Sequence, residues 1–267
     1  VIEGDLSGEV GLPEVALSLV LVAVAMGVSR VRRADLEGDV LVATLRSFAQ
    51  LLAVGFVLEY VFGAGRGWLT PVVLGVMIVT ATLTSAARGR RVPGAHAIAA
   101  VSLAVATAAT LGLLLALRIV PASPRSAIPL GSMILSNAMT TTSLVMTRLR
   151  DGLAAGRREV EARLSLGQTS AEAARPWHRA ALRTGMLPIV DNTKVVGLVA
   201  LPGAMTGMLL AGASPAAAIR LQLVVMYMIL GGNAFAALVT GELTLRRLFT
   251  RDHQLVRSLR RESGPER

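Results

Sequence analysis

The side chains that could do chemistry here are polar groups set inside long apolar blocks. Gln50, Asn137 and Asn233 each fall near the middle of such a block. Arg46 stands one helical turn before Gln50 on the same face, and Thr140, Thr141 and Thr142 continue from Asn137. At bilayer depth such groups are costly and turn toward a bundle interior or a watered path. Arg46, Gln50, Asn137, Thr140, Thr141 and Asn233 therefore read in two ways. They line a translocation path, or they are interhelical hydrogen bonds that contribute about 1 kcal/mol per pair.

Other chemistry has little to stand on. The chain has no cysteine, so thiolate nucleophiles, thiolate metal sites and disulfides are excluded. Its histidines, His96, His178 and His253, form no HExxH pair and none falls at mid-membrane depth. A phosphate-binding loop needs Gly-Lys-Ser/Thr, yet the single lysine, Lys194, follows Thr193. Gly131-Ser132 is a small pair without a base. No catalytic residue, metal-ligand set or bound cofactor is expected, and any ATP–Mg chemistry belongs to a separate subunit. Met133, Met139, Met205, Met208, Met226 and Met228 crowd the later blocks. Thioethers suit Cu(I) more than hard cations, so they read as adaptable packing before ligation. Asp191 and Lys194 read as interfacial charge near the start of the sixth block, and Glu59 and Glu242 as charges at block ends.

These residues must be positioned by membrane helices. Of 267 residues 53% are hydrophobic and only 16% charged, and the mean hydropathy is +0.62. An ordinary soluble domain carries about 25% charge. A bilayer core needs roughly 20 apolar helical residues. Seven spans fit: 12–28, 40–62, 68–87, 95–120, 128–147, 187–211 and 216–240. The first is no secretory signal, because Glu3, Asp5, Glu9 and Glu14 lead it. The net charge of +10 sits between blocks and not on one soluble face, which argues against nucleic acid. Twenty-one of the 27 bases follow spans one, three, five and seven, against Arg66 and Arg125 in the opposite loops. That asymmetry places the N-terminus outside and the C-terminus in the cytosol. Tyr60 and Trp68 flank a short loop where an interfacial aromatic belt would put them. The fold class is all-α, a polytopic helix bundle of about seven spans in residues 1–245, with a cytosolic loop at 148–183 and a basic tail at 246–267.

Within the loop, Asp151–Leu166 has an amphipathic stripe of Leu153, Val160 and Leu164, and Gly167 would end that helix. Thr169 and Glu172 fit a capping box for a second, short helix. Pro176 suits the first turn of the next one, which leads to Pro188 and span six. Residues alone leave open whether this loop is a solvated connector or a docking element. Pro202 in span six can mark a bend, and Gly203 and Gly207 form a GxxxG pair for close contact within or between subunits.

At this stretch EARLSLGQ (Glu161–Gln168), followed by Ala171–Ala174 and Pro188, resembles the EAA-type loop of ABC-transporter permeases. RSFAQLLAVGFVLEYVF (Arg46–Phe62), SNAM (Ser136–Met139), GLVALPGAMTGMLLAG (Gly197–Gly212) and RDHQL (Arg251–Leu255) resemble the bacterial iron-export ABC permease family. That family has plant relatives associated with aluminium tolerance. Ser136 departs from it, since the family usually has Gly before the Asn. The resemblance implies a permease in the bacterial inner membrane that pairs with itself and with a cytosolic ABC ATPase. Its cargo would be a metal ion, iron, with an organic substrate or a stand-alone transporter or channel as alternatives. It also implies that Glu161, Ala162, Leu166, Gly167, Thr169, Glu172 and Pro176 form the ATPase-coupling element. Gln50 and Asn137, inside family-like motifs, lean toward the path.

Overall fold

A computed structural model describes residues 11–32, 35, 37–64, 67–198, 200–250, 252–256 and 259. The acidic residues before Gly11, Arg66, Arg251 and most of the tail beyond 256 lie outside these. Among the described residues the regular structure is helical, with only two isolated β-bridges, Val196 to Ala200 and Phe249 to Leu255. The protein is a helical membrane bundle. The helices are α1 (Leu12–Arg32), α2 (Glu37–Ala64), α3 (Leu69–Arg88), α4 (Ala95–Ala116), α5 (Pro124–Ala155), α6 (Arg157–Ser165), α7 (Ser170–Val195), α8 (Gly203–Leu210) and α9 (Pro215–Leu248).

The chain divides into two compact units. One holds α1, α2 and residues 207–214; its two long helices expose apolar side chains such as Leu17, Leu21, Leu51 and Phe56. The other holds residues 67–206 and everything from Pro215 onward. In this larger unit α3 and α5 run in the same direction in constant register. Leu74 lies beside Gly131, Ser85 Oγ bonds Ser143 Oγ at 3.0 Å, and Met146 covers Gly89. Helix α7 runs the opposite way along α5. Trp177 fills the space beside Gly152 and Gly156, and Thr141 Oγ1 donates to the Gly185 carbonyl at 3.2 Å. Glycine is required at 185, because a Cβ there would overlap Val145 Cγ2.

Among the described residues, five helices, including α9, are long and apolar enough to cross a membrane. Helix α5 is more polar but keeps its register beside α3. The expected sixth span is not one helix. It stops at Val195, and Gly197 takes φ +85°. The Gly197 N–H then bonds the Ala200 carbonyl at 2.9 Å, and helix resumes only at Gly203. Pro202 explains the late restart, since proline biases its predecessor away from helix and itself suits a helix start.

The loop also differs from expectation. Helix α5 continues to Ala155, so the expected helix Asp151–Leu166 is split at Gly156, whose N–H caps α5 on the Gly152 carbonyl at 2.9 Å. Beyond Gly167 there is no short helix followed by a proline start. One 26-residue helix carries both Pro176 and Pro188 in its interior. Each proline removes a single backbone bond, and packing against α5 and α9 retains the helix.

The largest buried apolar cluster among the described residues sits at the end of this unit that carries Arg88–Arg91. Met146, Leu149 and Leu153 of α5 pack there with Val160 of α6, Ala173, Ala174 and Ala181 of α7, and Leu248 of α9. Leu255 and Leu259 of the basic tail complete the cluster.

Candidate coupling surface

Helix α6 is amphipathic in the sense its stripe predicts. Val160 is fully buried, while Ala162 and Ser165 face out and Arg157–Glu161 (2.8 Å) and Arg163–Glu159 (2.6 Å) pair along its length. The helix closes as a Schellman turn. Gly167 N–H bonds the Leu164 carbonyl at 3.0 Å and Gln168 N–H the Arg163 carbonyl at 3.2 Å, with Gly167 at φ +86°. Two residues later α7 opens with the expected capping box. Thr169 Oγ1 accepts the Glu172 N–H, and Glu172 Oε2 accepts the Thr169 N–H at 2.9 Å. The Thr169 N–H foremost, and then the Thr169 hydroxyl donating to the same Glu172 Oε2 at 2.8 Å, hold the Glu172 carboxyl below its ordinary pKa, with help from Arg175.

Two fixed helix ends thus meet at one corner, and the corner exposes an apolar side chain. Leu166, at its apex, is 84% exposed. Gly167, Thr169, Glu172 and Pro176 are exposed around it, and Glu161 is half-buried. The tail flanks the same corner. Between the bridged residues Phe249 and Leu255, His253 Nδ1 accepts the Ser170 N–H at 3.2 Å. Leu164, Gly167, Gln168, Asp252 and His253 line a groove of about 490 Å³. Sequence reading noticed EARLSLGQ and RDHQL separately; the structure brings them together. His178, set aside in the sequence with the other histidines, lies on α7. Its Nε2 is buried without a partner beside Gly241, and burial lowers its pKa against the opposing charge of Glu242.

The path candidates separate by geometry. Arg46 and Gln50 are exposed on α2. On α5, Thr140 is exposed and Asn137 half-buried, its Nδ2 donating to the Met133 carbonyl at 2.9 Å. Thr141 and Asn233 are instead buried and bonded to each other at 2.5 Å, between α5 and α9. Thr142 and Thr240 repeat that link at 3.3 Å. Met133, Met139 and Met228 lie in apolar clusters, as packing requires. Among the described residues, a Cβ at Gly203 or Gly207 would have no atom within 4 Å.

Comparison with known proteins fixes the family. The model of the Uncharacterised protein family (UPF0014) matches residues 12–249. The chain belongs to that family. It is 40% identical over 92% of its length, and 86% of the relative's, to the UPF0014 membrane protein STAR2 of Oryza sativa subsp. japonica. Protein ALUMINUM SENSITIVE 3 of Arabidopsis thaliana shares 38% identity over 92% of this chain and 90% of its own. The Probable iron export permease protein FetB of Escherichia coli (strain K12) shares 32% over 90% and 93%. No solved structure matches. Membership covers the spans, the corner at Gly167 and α9 alike, so the UPF0014 chain is a multi-pass membrane protein related to permeases throughout.

Proposed function

We propose that this chain is the membrane-spanning subunit of an ABC transporter that exports a metal ion, with iron the cargo suggested by the name of its E. coli relative. A separate ATPase, carrying ATP–Mg, would dock on the α6–α7 corner. The observation that carries this reading is the exposed Leu166 on a corner locked at both sides and keyed through Val160, Ala173 and Ala174 to α5 and α9. A flexible connector could not pass force from a partner to the spans; a corner sharing the core of two spans can. The GxxxG spacing of Gly203 and Gly207 supports pairing with a second copy. Arg46, Gln50, Asn137 and Thr140 are the path candidates that remain open to solvent or to a partner, while Thr141 and Asn233 act as links between helices.

The arginine-rich end would face the cytosol of a bacterium, with the N-terminus outside. The absence of native cysteine makes this testable: Arg158→Cys should resist an impermeant thiol reagent in intact cells and label after lysis. Labelling in intact cells would reverse the orientation. For coupling, Gly167→Val and Glu161→Ala should insert normally yet lose ATPase capture in pull-downs, or lose transport-stimulated ATP hydrolysis. Wild-type capture and stimulation in both variants would remove the corner from the mechanism.

A further inference from the structure

Packing on α5 gives each residue of α7 a level. Trp177 lies beside Gly152 and Gly185 beside Thr141 and Val145, so the antiparallel register sets Arg183 level with Met146. Met146 in turn covers Gly89, the residue after the end of α3. Helix α3 has 20 residues, and its length of about 30 Å matches a hydrocarbon core, so Arg88 marks the boundary of that core. Arg183 therefore stands at the boundary, with Arg179 and Arg175 about 6 and 12 Å outside it. A headgroup layer is about 5–7 Å deep on each side and reaches the first two.

The outer side of α7 changes character at the same depth. Arg175, Arg179, Arg183 and Leu187 are spaced four apart, all exposed, and form one stripe along the helix. Leu187 lies one turn inside the boundary, and a stripe that meets lipid must turn from cationic to apolar there. The arginines also lack counter-charges. On α6 Arg157 holds Glu161 at 2.8 Å and Arg163 holds Glu159 at 2.6 Å, whereas Arg175, Arg179 and Arg183 have no ion pair among the described residues. Two acids approach this side of α7, and both are committed. Thr169 takes Oε2 of Glu172, and Arg246 holds Glu242 at 2.8 Å. Arg175 and Arg179 share with Arg163, Gln168, Glu172 and Pro176 a groove of about 530 Å³, room enough for a phosphate group.

We propose that this stripe binds an anionic lipid, with Arg179 and Arg183 on the headgroup phosphate and Leu187 against an acyl chain. Guanidinium forks match phosphate oxygens two at a time, and arginines at the surface of an anionic leaflet are where such pairs form. Depth favours lipid over a docked protein for these two residues. Ser170, at the proposed ATPase corner, lies 13 residues from Arg183, about 20 Å outside the boundary and beyond the headgroups. A lipid held at the foot of this segment fixes the height of the α6–α7 corner above the membrane. The inference rests on the membrane bundle and the places of its arginines, not on any cargo or ATPase.

The test uses the full chain in detergent, with Ala180→Cys, exposed next to Arg179, carrying a polarity-sensitive fluorophore. Phosphatidylglycerol added in mixed micelles should give a saturable blue shift. Its midpoint should lie roughly thirtyfold below that of phosphatidylcholine, the factor that two arginines at a surface supply. Arg179→Gln with Arg183→Gln should remove that preference at an unchanged unfolding midpoint, because both side chains are exposed. Arg179→Lys with Arg183→Lys should keep most of it, and high salt should weaken it. The inference is overturned if phosphatidylcholine binds as well as phosphatidylglycerol, or if the glutamine pair keeps the preference. It is equally overturned if inorganic phosphate at the same concentration gives the same shift, which marks a free-phosphate site. A shift produced only by a purified ATPase partner would also overturn it and assign the stripe to a protein interface.

Discussion

Helix α7 has two glycine-marked ends, and they are built in opposite ways. At the Ser170 end, Gly167 follows a Schellman turn, Thr169 and Glu172 form a reciprocal cap, His253 takes the Ser170 N–H, and Ala173 and Ala174 are buried. At the Val195 end, Gly197 has a similar φ but no side-chain cap, Val195 is exposed, and Leu198 is 90% exposed. The same glycine geometry is thus overdetermined at one end and barely supported at the other. Local opening is drawn from segments with few buried contacts. The comparison teaches that α7 is tightly held at its Ser170 end, where the proposed partner docks, and loosely held at its Val195 end.

The largest expected effect comes from cutting the seam between α7 and α5. Gly185→Leu must displace Val145, and overpacking of this kind costs about 1–3 kcal/mol or more. Thermal unfolding in detergent should show a clear loss of stability, with both functions impaired together. A variant as stable as wild type would mean that α5 and α7 are not rigidly joined.

A pair of valines sharpens the contrast. Gly167→Val and Gly197→Val each force a β-branched residue to positive φ, at about 1–3 kcal/mol. The first should reduce ATPase capture, whereas the second should leave capture intact and alter only transport. Equal phenotypes would erase the distinction between the ends.

Smaller effects probe the clamp itself. Thr169→Ala should lower stability by about 1 kcal/mol through loss of the cap, read as a lower unfolding midpoint. The Glu172 carboxyl is lowered in the folded state from an ordinary value of 4.5. Its contribution is therefore full above that value and fades as pH falls through the lowered folded value. Glu172→Gln should flatten that acid dependence; an unchanged acid limb would assign it elsewhere.

Much of the clamp was legible. Thr169, Glu172 and Gly167 obey local rules of cap and turn, and the Leu153–Val160–Leu164 stripe found its core. What local rules missed was set by packing. Pro176 and Pro188 looked like boundaries, yet each sacrifices one backbone bond inside a helix held by its neighbours. That error hid the single helix from Ser170 to Val195. The tail motif was visible as residues but not as a neighbour of Gly167, because nothing in RDHQL encodes an approach across 83 positions of sequence. The unwound stretch after Val195 was hidden by its own hydropathy, which is indistinguishable from that of a span.

The burial of Leu255 and Leu259 beside Val160 and Ala173 has a consequence for biogenesis. The chain leaves the ribosome from its N-terminus, so α6 emerges on the order of a hundred residues before the side chains that cover it. Throughout that interval the docking corner has an apolar underside open to chaperones and proteases. Completion of the corner thus reports that translation has passed α9, and a product stopped at Leu248 would be marked as unfinished by its own uncovered core.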